Sequence, residues 1–233
     1  MKNFSAVALT ILVFILLFAA CKHTPPEQVA PPPPSGGGGG GGGNTLVCFE
    51  SEVLPIFQSN CAKSGCHDAI TQEKGYVLDS YANIIRKGIV VGSATNSEIY
   101  EVLFETGNDK MPPAPNPDLT PAQKALIGRW INEGARNTTN CSTGCDTTQY
   151  KYGANISLIM SNNCTGCHGG TAPSANINLT THAGVSAQAN NGRLTGAITH
   201  SAGYSPMPKN ASKLSECQIT QVKKWVADGA PNN

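Results

Sequence analysis

Apolar side chains recur at spacings of three and four in four short stretches of this chain, and elsewhere the pattern breaks up. Val53, Ile56 and Phe57, with Asn60 closing the row, form one stripe, and Ile156, Ile159, Met160 and Asn163 form another with the same spacing. Each predicts a short amphipathic helix with a single buried face. Two further stripes, Leu126, Ile127, Trp130 and Ile131, then Ile219, Val222, Trp225 and Val226, predict a second pair of helices. Their starts carry a capping-box signature, Thr120 with Gln123 and Ser215 with Gln218, and Pro121 suits a first helical position. Gly134 and Gly229 follow the stripes, where a left-handed residue ends a helix at little cost. Between the helices, segments such as 107–117 and 203–208 are too rich in Gly, Pro and Asn to predict regular structure.

These stretches belong to a repeat. One copy runs Val53, Ile56, Phe57, Asn60, Cys61, Cys66, His67, Leu78, Met111, Pro112, Leu119, Trp130, Gly134, Ala135. The other runs Ile156, Ile159, Met160, Asn163, Cys164, Cys167, His168, Leu179, Met207, Pro208, Leu214, Trp225, Gly229, Ala230. The interval from His to Leu is 11 residues in both copies, and Leu119 to Trp130 matches Leu214 to Trp225. Such agreement predicts two homologous small all-α domains, residues 47–141 and 142–233, joined near Cys141 to Cys145.

Upstream of the repeat the chain reads differently. A basic start at Lys2, an apolar run from Ala6 to Phe18, and Ala19-Ala20 before Cys21 follow the grammar of an export signal over residues 1–20. Cys after Ala-Ala looks like a bacterial lipoprotein processing site, with Cys21 as the lipid-bearing residue, although Phe18 stands where such sites usually have Leu. The run is at the short end for a spanning helix. Residues 21–46 hold four consecutive prolines, Pro31 to Pro34, and eight glycines, Gly36 to Gly43, which cannot build a core. They predict a tether, stiff in its proline half and coiled in its glycine half, with a reach on the order of 5–6 Å times the square root of the residue count. His23 lies in this segment and carries no expected role.

Charge narrows the partners. A net charge of +1, with 13% charged residues among 233, offers no basic field for nucleic acid. Roughly 90-residue units with few helices also bury little apolar area, so an additional stabiliser is expected.

The chemistry-bearing residues supply one. Cys164-Thr165-Gly166-Cys167-His168 has the spacing of a covalent haem attachment motif. Two cysteines on one turn can each add to a vinyl group, and the adjacent histidine can reach the iron from the same side. Cys61 and Cys66, followed by His67, have two extra residues between the cysteines, so that loop must bulge, as Ser64-Gly65 permits. A soft thioether as second axial ligand suits an electron carrier, and Met111 and Met207 lie 44 and 39 residues beyond their histidines in proline-rich, polar segments. His182 falls at the repeat position of Tyr81, which predicts a packing or surface role, and His200, opposite Phe104, is a rival distal ligand. The competing reading of the cysteines is a zinc site or two short disulfides. It leaves the histidine after each pair unexplained.

The order Cys-His, Leu with Asp or Thr, Met-Pro, then a capped helix with Trp ending in Gly-Ala resembles the planctomycete-type cytochrome c domain family. The resemblance covers nearly all of residues 47–233, twice, and is sharpest at Cys164 to His168, Met111 to Pro113 and Trp130 to Ala135. It implies two small cytochrome c-like domains with loop-rich haem pockets, two covalent haem c groups, His/Met ligation by His67, Met111, His168 and Met207, and electron transfer.

Cys48, Cys141, Cys145 and Cys217 remain. In an oxidising compartment they suggest Cys48–Cys141 and Cys145–Cys217 pairs, with Cys141–Cys145 as a rival.

The leading expectation is therefore a dihaem electron carrier of the Gram-negative envelope, a periplasmic or outer-membrane lipoprotein. It would meet redox proteins there and touch the membrane through its lipid. A dihaem peroxidase with one open iron and a zinc-binding structural lipoprotein are the alternatives.

Overall fold

A computed structural model describes residues 46–139, 141 and 146–233. The export signal, nearly all of the tether, Cys21, His23 and Cys145 lie outside the described residues. Among the described residues the structure is helical with no strand, an all-α arrangement.

Each copy opens the same way. A wide turn, Phe49–Val53, runs into helix α1 (Leu54–Asn60), and Tyr152–Ile156 runs into what will be called α5 (Ser157–Asn163). Both helices close with the same device, an Asn side chain folded back onto the carbonyl four residues earlier, at 2.9 Å in Asn60 to Ile56 and in Asn163 to Ile159. The first copy continues through two single-turn helices, α2 (Tyr81–Ile84) and α3 (Glu98–Glu101), and ends with α4 (Pro121–Asn132). The second continues after α5 through α6 (His182–Asn190) and α7 (Arg193–Ile198) and ends with α8 (Glu216–Ala227).

The terminal helices follow their sequence signals. In α4, Thr120 Oγ1 accepts from the N–H of Gln123 at 3.2 Å while Gln123 Oε1 accepts from the N–H of Thr120 at 2.8 Å. Ser215 and Gln218 make the same reciprocal pair ahead of α8. At the other end Gly134 and Gly229 sit at φ 99° and 88°, and the N–H groups of Ala135 and Ala230 bond back to the carbonyls of Trp130 and Trp225. Glycine is favoured there because a Cβ would crowd the carbonyl in left-handed geometry.

Two apolar clusters result, one drawn from residues 47–135 and one from 156–230. Each is organised by a tryptophan that is almost fully buried and donates its indole N–H to a carbonyl just beyond its helix, Trp130 to Arg136 at 3.0 Å and Trp225 to Pro231 at 2.9 Å. Phe49 and Phe57 pack against Trp130, with Tyr81 edge-on to Phe49, as Tyr152 and His182 pack against Trp225.

The two clusters belong to one compact unit spanning residues 44–233. α1 lies against α5, with Ser59 Oγ donating to the carbonyl of Asn162 at 2.9 Å. Gln123 of α4 reaches the carbonyl of Ser161 at 2.9 Å. The chain is fastened at its joint by a disulfide, Cys48–Cys141, closing 93 residues, which excludes the rival Cys141–Cys145 pair. Cys217 is also disulfide-bonded.

The middle segments differ from expectation. Residues 107–109 form a single tight helical turn rather than pure loop, and α6 and α7 carry five buried residues, Val185, Ala189, Leu194, Gly196 and Ile198, in a stretch whose periodicity is weak. Gly192 at φ 76° makes the turn between the two helices. In the first copy Gly88 and Gly92, at φ 77° and 81°, instead break the corresponding stretch into short turns.

Candidate functional site

Each cysteine-histidine motif begins where a helix stops. The N–H of Cys61 caps α1 through the carbonyl of Phe57, and that of Cys164 caps α5 through Met160, both at 2.8 Å. In the second motif the next turn stays helical: the N–H groups of Cys167 and His168 both bond to the carbonyl of Cys164, at 3.1 and 2.8 Å. In the first, Ser64 and Gly65 bulge outward with Gly65 at φ 83°, yet the N–H of His67 still returns to the carbonyl of Cys61 at 3.2 Å. Downstream the two motifs regain register. Leu78 and Leu179 bond to the carbonyls of His67 and His168 at 2.9 and 2.7 Å, and Glu73 and Ser174 bond to those of Cys66 and Cys167 at 3.0 and 2.9 Å. The longer spacing is absorbed entirely within the bulge.

All four cysteines are unpaired thiols, and each lies half-buried. Burial pushes the Cys61 thiol up to about 12, against a smaller opposing pull from the Lys63 ammonium. Burial likewise pushes Cys164 up to about 12, with Cys167 beside it adding to the rise. These sulfurs are therefore held as neutral thiols at physiological pH.

The imidazoles are half-buried next to them. His168 Nδ1 lies 3.2 Å from the carbonyl of Ser174, which fixes its tautomer and leaves Nε2 without a hydrogen-bond partner. His67 Nδ1 is buried with no partner at all. Tyr76 packs edge-on to the His67 ring at 6.0 Å and gives its hydroxyl to Glu98 Oε2 at 2.5 Å. Burial and that carboxylate push the Tyr76 phenol up to about 12, so it stays a donor.

The two methionines are placed alike. The N–H of Met111 bonds to the carbonyl of Val102 at the end of α3, at 2.8 Å, and that of Met207 to Ala197 in α7, at 3.1 Å. Both side chains are half-buried, so neither acts as a core filler. His182 Nε2 is engaged by the carbonyl of Ala230 at 2.9 Å, matching Tyr81 Oη on Ala135 at 3.0 Å, which removes it from the candidate ligands. His200 is exposed and its Nε2 meets the carbonyl of Met207 at 3.1 Å.

The motifs also touch each other, which local sequence pattern gave no sign of. Cys167 Sγ lies 3.6 Å from the carbonyl of Ser59. A Cβ on Gly166 would come within 2.2 Å of that oxygen and 2.6 Å of Asn60 Oδ1, so only glycine lets the second motif approach α1 so closely. A shallow cavity of about 190 Å³ lies elsewhere between the copies, among Ser51, Glu52, Asn155, Leu158, Ser215 and Gln218, and includes none of the motif residues.

Among the described residues no three or more His, Cys, Asp or Glu side chains converge as metal ligands, so the two cysteine pairs do not assemble a four-ligand zinc site. By type the donors fit a haem: each copy holds two free thiols, an imidazole and a thioether, and the second copy sets its thiols on one turn beside a His168 ring tied at Nδ1.

The chain matches no family model, no curated protein and no solved structure. What the fold and site define is an all-α protein in which two cysteine-pair-and-histidine loops are in contact, Lys63 Nζ of one on the Gly166 carbonyl of the other.

Proposed function

We propose that the chain is a dihaem c-type cytochrome, exported and lipid-anchored at Cys21, that passes electrons between redox proteins of a Gram-negative cell envelope. Its folded part would then comprise two tandem cytochrome c-like domains. The observation that carries the reading is the state of the second motif. Its two thiols are free on one turn, and its imidazole is tied at Nδ1 and unbonded at Nε2.

Cys61 and Cys66, and Cys164 and Cys167, would bond one haem each, with His67 and Met111 as ligands to the first and His168 and Met207 to the second. The haem iron supplies one-electron exchange, and a thioether ligand favours its reduced form. This chain's residues do the holding. Ser174 orients the His168 ring, Leu78 and Leu179 fix the backbone after each histidine, and Val102 and Ala197 anchor the backbone of each methionine. An imidazole and a thioether given together to the iron would supply electron exchange, which suits a carrier rather than a peroxidase. Among the described residues no helix is long and apolar enough to cross a membrane.

The test is expression of the full chain in a host able to mature cytochromes. Two haems per chain by pyridine haemochrome, with the weak long-wavelength band of sulfur-ligated iron, support the proposal. Met111→Ala and Met207→Ala should each open one iron to carbon monoxide. An unmodified polypeptide sinks it, and carbon monoxide binding to one iron of the unmutated protein favours the peroxidase.

A further inference from the structure

The first motif has two residues more than the second, and the structure gives them a use. The bulge brings Lys63 across the boundary between the copies, where Nζ donates to the carbonyl of Gly166 at 2.8 Å, inside the second motif. The same ammonium donates to Asn116 Oδ1, in the loop that follows Met111. That loop is itself pressed on the second motif, because a Cβ on Gly170 would come within 2.8 Å of the carbonyl of Pro115. The second motif, with only Thr165 and Gly166 between its cysteines, has no counterpart of Lys63. One cation thus ties three segments: the first cysteine-histidine loop, the Met111 loop and the second cysteine-histidine loop. Beside it Cys167 Sγ touches the carbonyl of Ser59, two residues before Cys61.

We infer that Lys63 is a positioning residue that locks the first cysteine-histidine loop, the Met111 loop and the second cysteine-histidine loop into one arrangement. The inference rests on the dihaem reading. It makes the two sites one coupled unit rather than two independent carriers on one polypeptide. The ammonium lies against residues of both motifs, so its charge would favour the reduced state of a haem held at either, and the low dielectric of a partly buried contact would strengthen that effect.

The test compares the haem-loaded full chain with Lys63→Met, which keeps length but removes charge and donors, and Lys63→Arg, which keeps the charge. Optical redox titration reads both sites, and hydrogen exchange across residues 59–68, 111–118 and 164–170 reads the clamp, in loaded and unloaded chain alike. Lys63→Met should lower both potentials, each by at least about a threefold change in the reduced-to-oxidised ratio at fixed potential. It should also speed exchange in all three segments, and Lys63→Arg should restore most of both effects. Asn116→Ala, a milder variant, should loosen only residues 111–118. Unchanged potentials, or a shift at the first site alone, overturn the inference while a haem count of two leaves the dihaem reading standing. A haem-free wild-type chain overturns both.

Discussion

His182 Nε2 lies 2.9 Å from the carbonyl oxygen of Ala230, the residue held in left-handed geometry just after α8. In the first copy a tyrosine hydroxyl does the same work, from Tyr81 to Ala135 at 3.0 Å. Two different side chains thus satisfy one carbonyl at the edge of one aromatic cluster. The expected outcome is that His182→Tyr leaves thermal stability close to wild type, whereas His182→Ala lowers it by about 1–2 kcal/mol through the lost hydrogen bond and ring contact. Thermal denaturation followed by circular dichroism checks both.

The buried thiols give a second prediction. Cys61 and Cys164, raised from an ordinary 9.0 to about 12, carry little thiolate at pH 8. In the unloaded folded chain each should alkylate at least about tenfold more slowly than the same cysteine in denaturant, a lower bound set by the partial exposure of both residues. Because the folded values are raised, the stability these thiols contribute is present below pH 9.0 and is lost as pH climbs toward 12. Timed alkylation with mass spectrometry, site by site, reads this directly, and equal rates in both states would contradict it.

A third concerns acid. Burial opposes ionisation of Glu133, but the N–H of Val47 at 2.7 Å and the Arg129 guanidinium at 2.6 Å hold its carboxyl below the usual 4.5. A depressed carboxylate stabilises the fold above its unfolded value, and the gain disappears as pH falls below 4.5 through the lower folded value. Exchange of the Val47 amide should therefore speed up in that window. Glu133→Gln should remove this part of the pH dependence.

The Cys48–Cys141 bond closes a loop of 93 residues around the first cluster. Replacing both cysteines by serine is expected to cost about 2–5 kcal/mol, because the opened chain regains conformational freedom when unfolded. Denaturant titration of the double variant beside wild type measures it. Reducing agent opens the Cys217 bond as well and should cost the unmutated chain more.

Local signals in the sequence were enough for α1, α4, α5 and α8, since capping boxes, stop glycines and a 3.6-residue apolar stripe act within one or two turns of chain. The repeat likewise foretold that His182 would pack like Tyr81, because register alone sets that position. The pair α6 and α7 was not legible: its buried residues, Val185, Ala189, Leu194, Gly196 and Ile198, keep no steady 3.6-residue spacing, so packing rather than pattern selects the helix. Nor could spacing choose between Cys141 partners, as both lay within reach of an extended chain.

The sequence by itself determined the helices' ends, the two cysteine-histidine turns and the internal repeat, all of which depend on neighbours close along the chain. Only the tertiary structure decided that Gly166 sits against Ser59, that Lys63 crosses to the second copy, and that the two motifs share a wall. Those contacts join residues about a hundred positions apart. They exist only where apolar burial has already brought α1 onto α5, and no local propensity encodes that meeting.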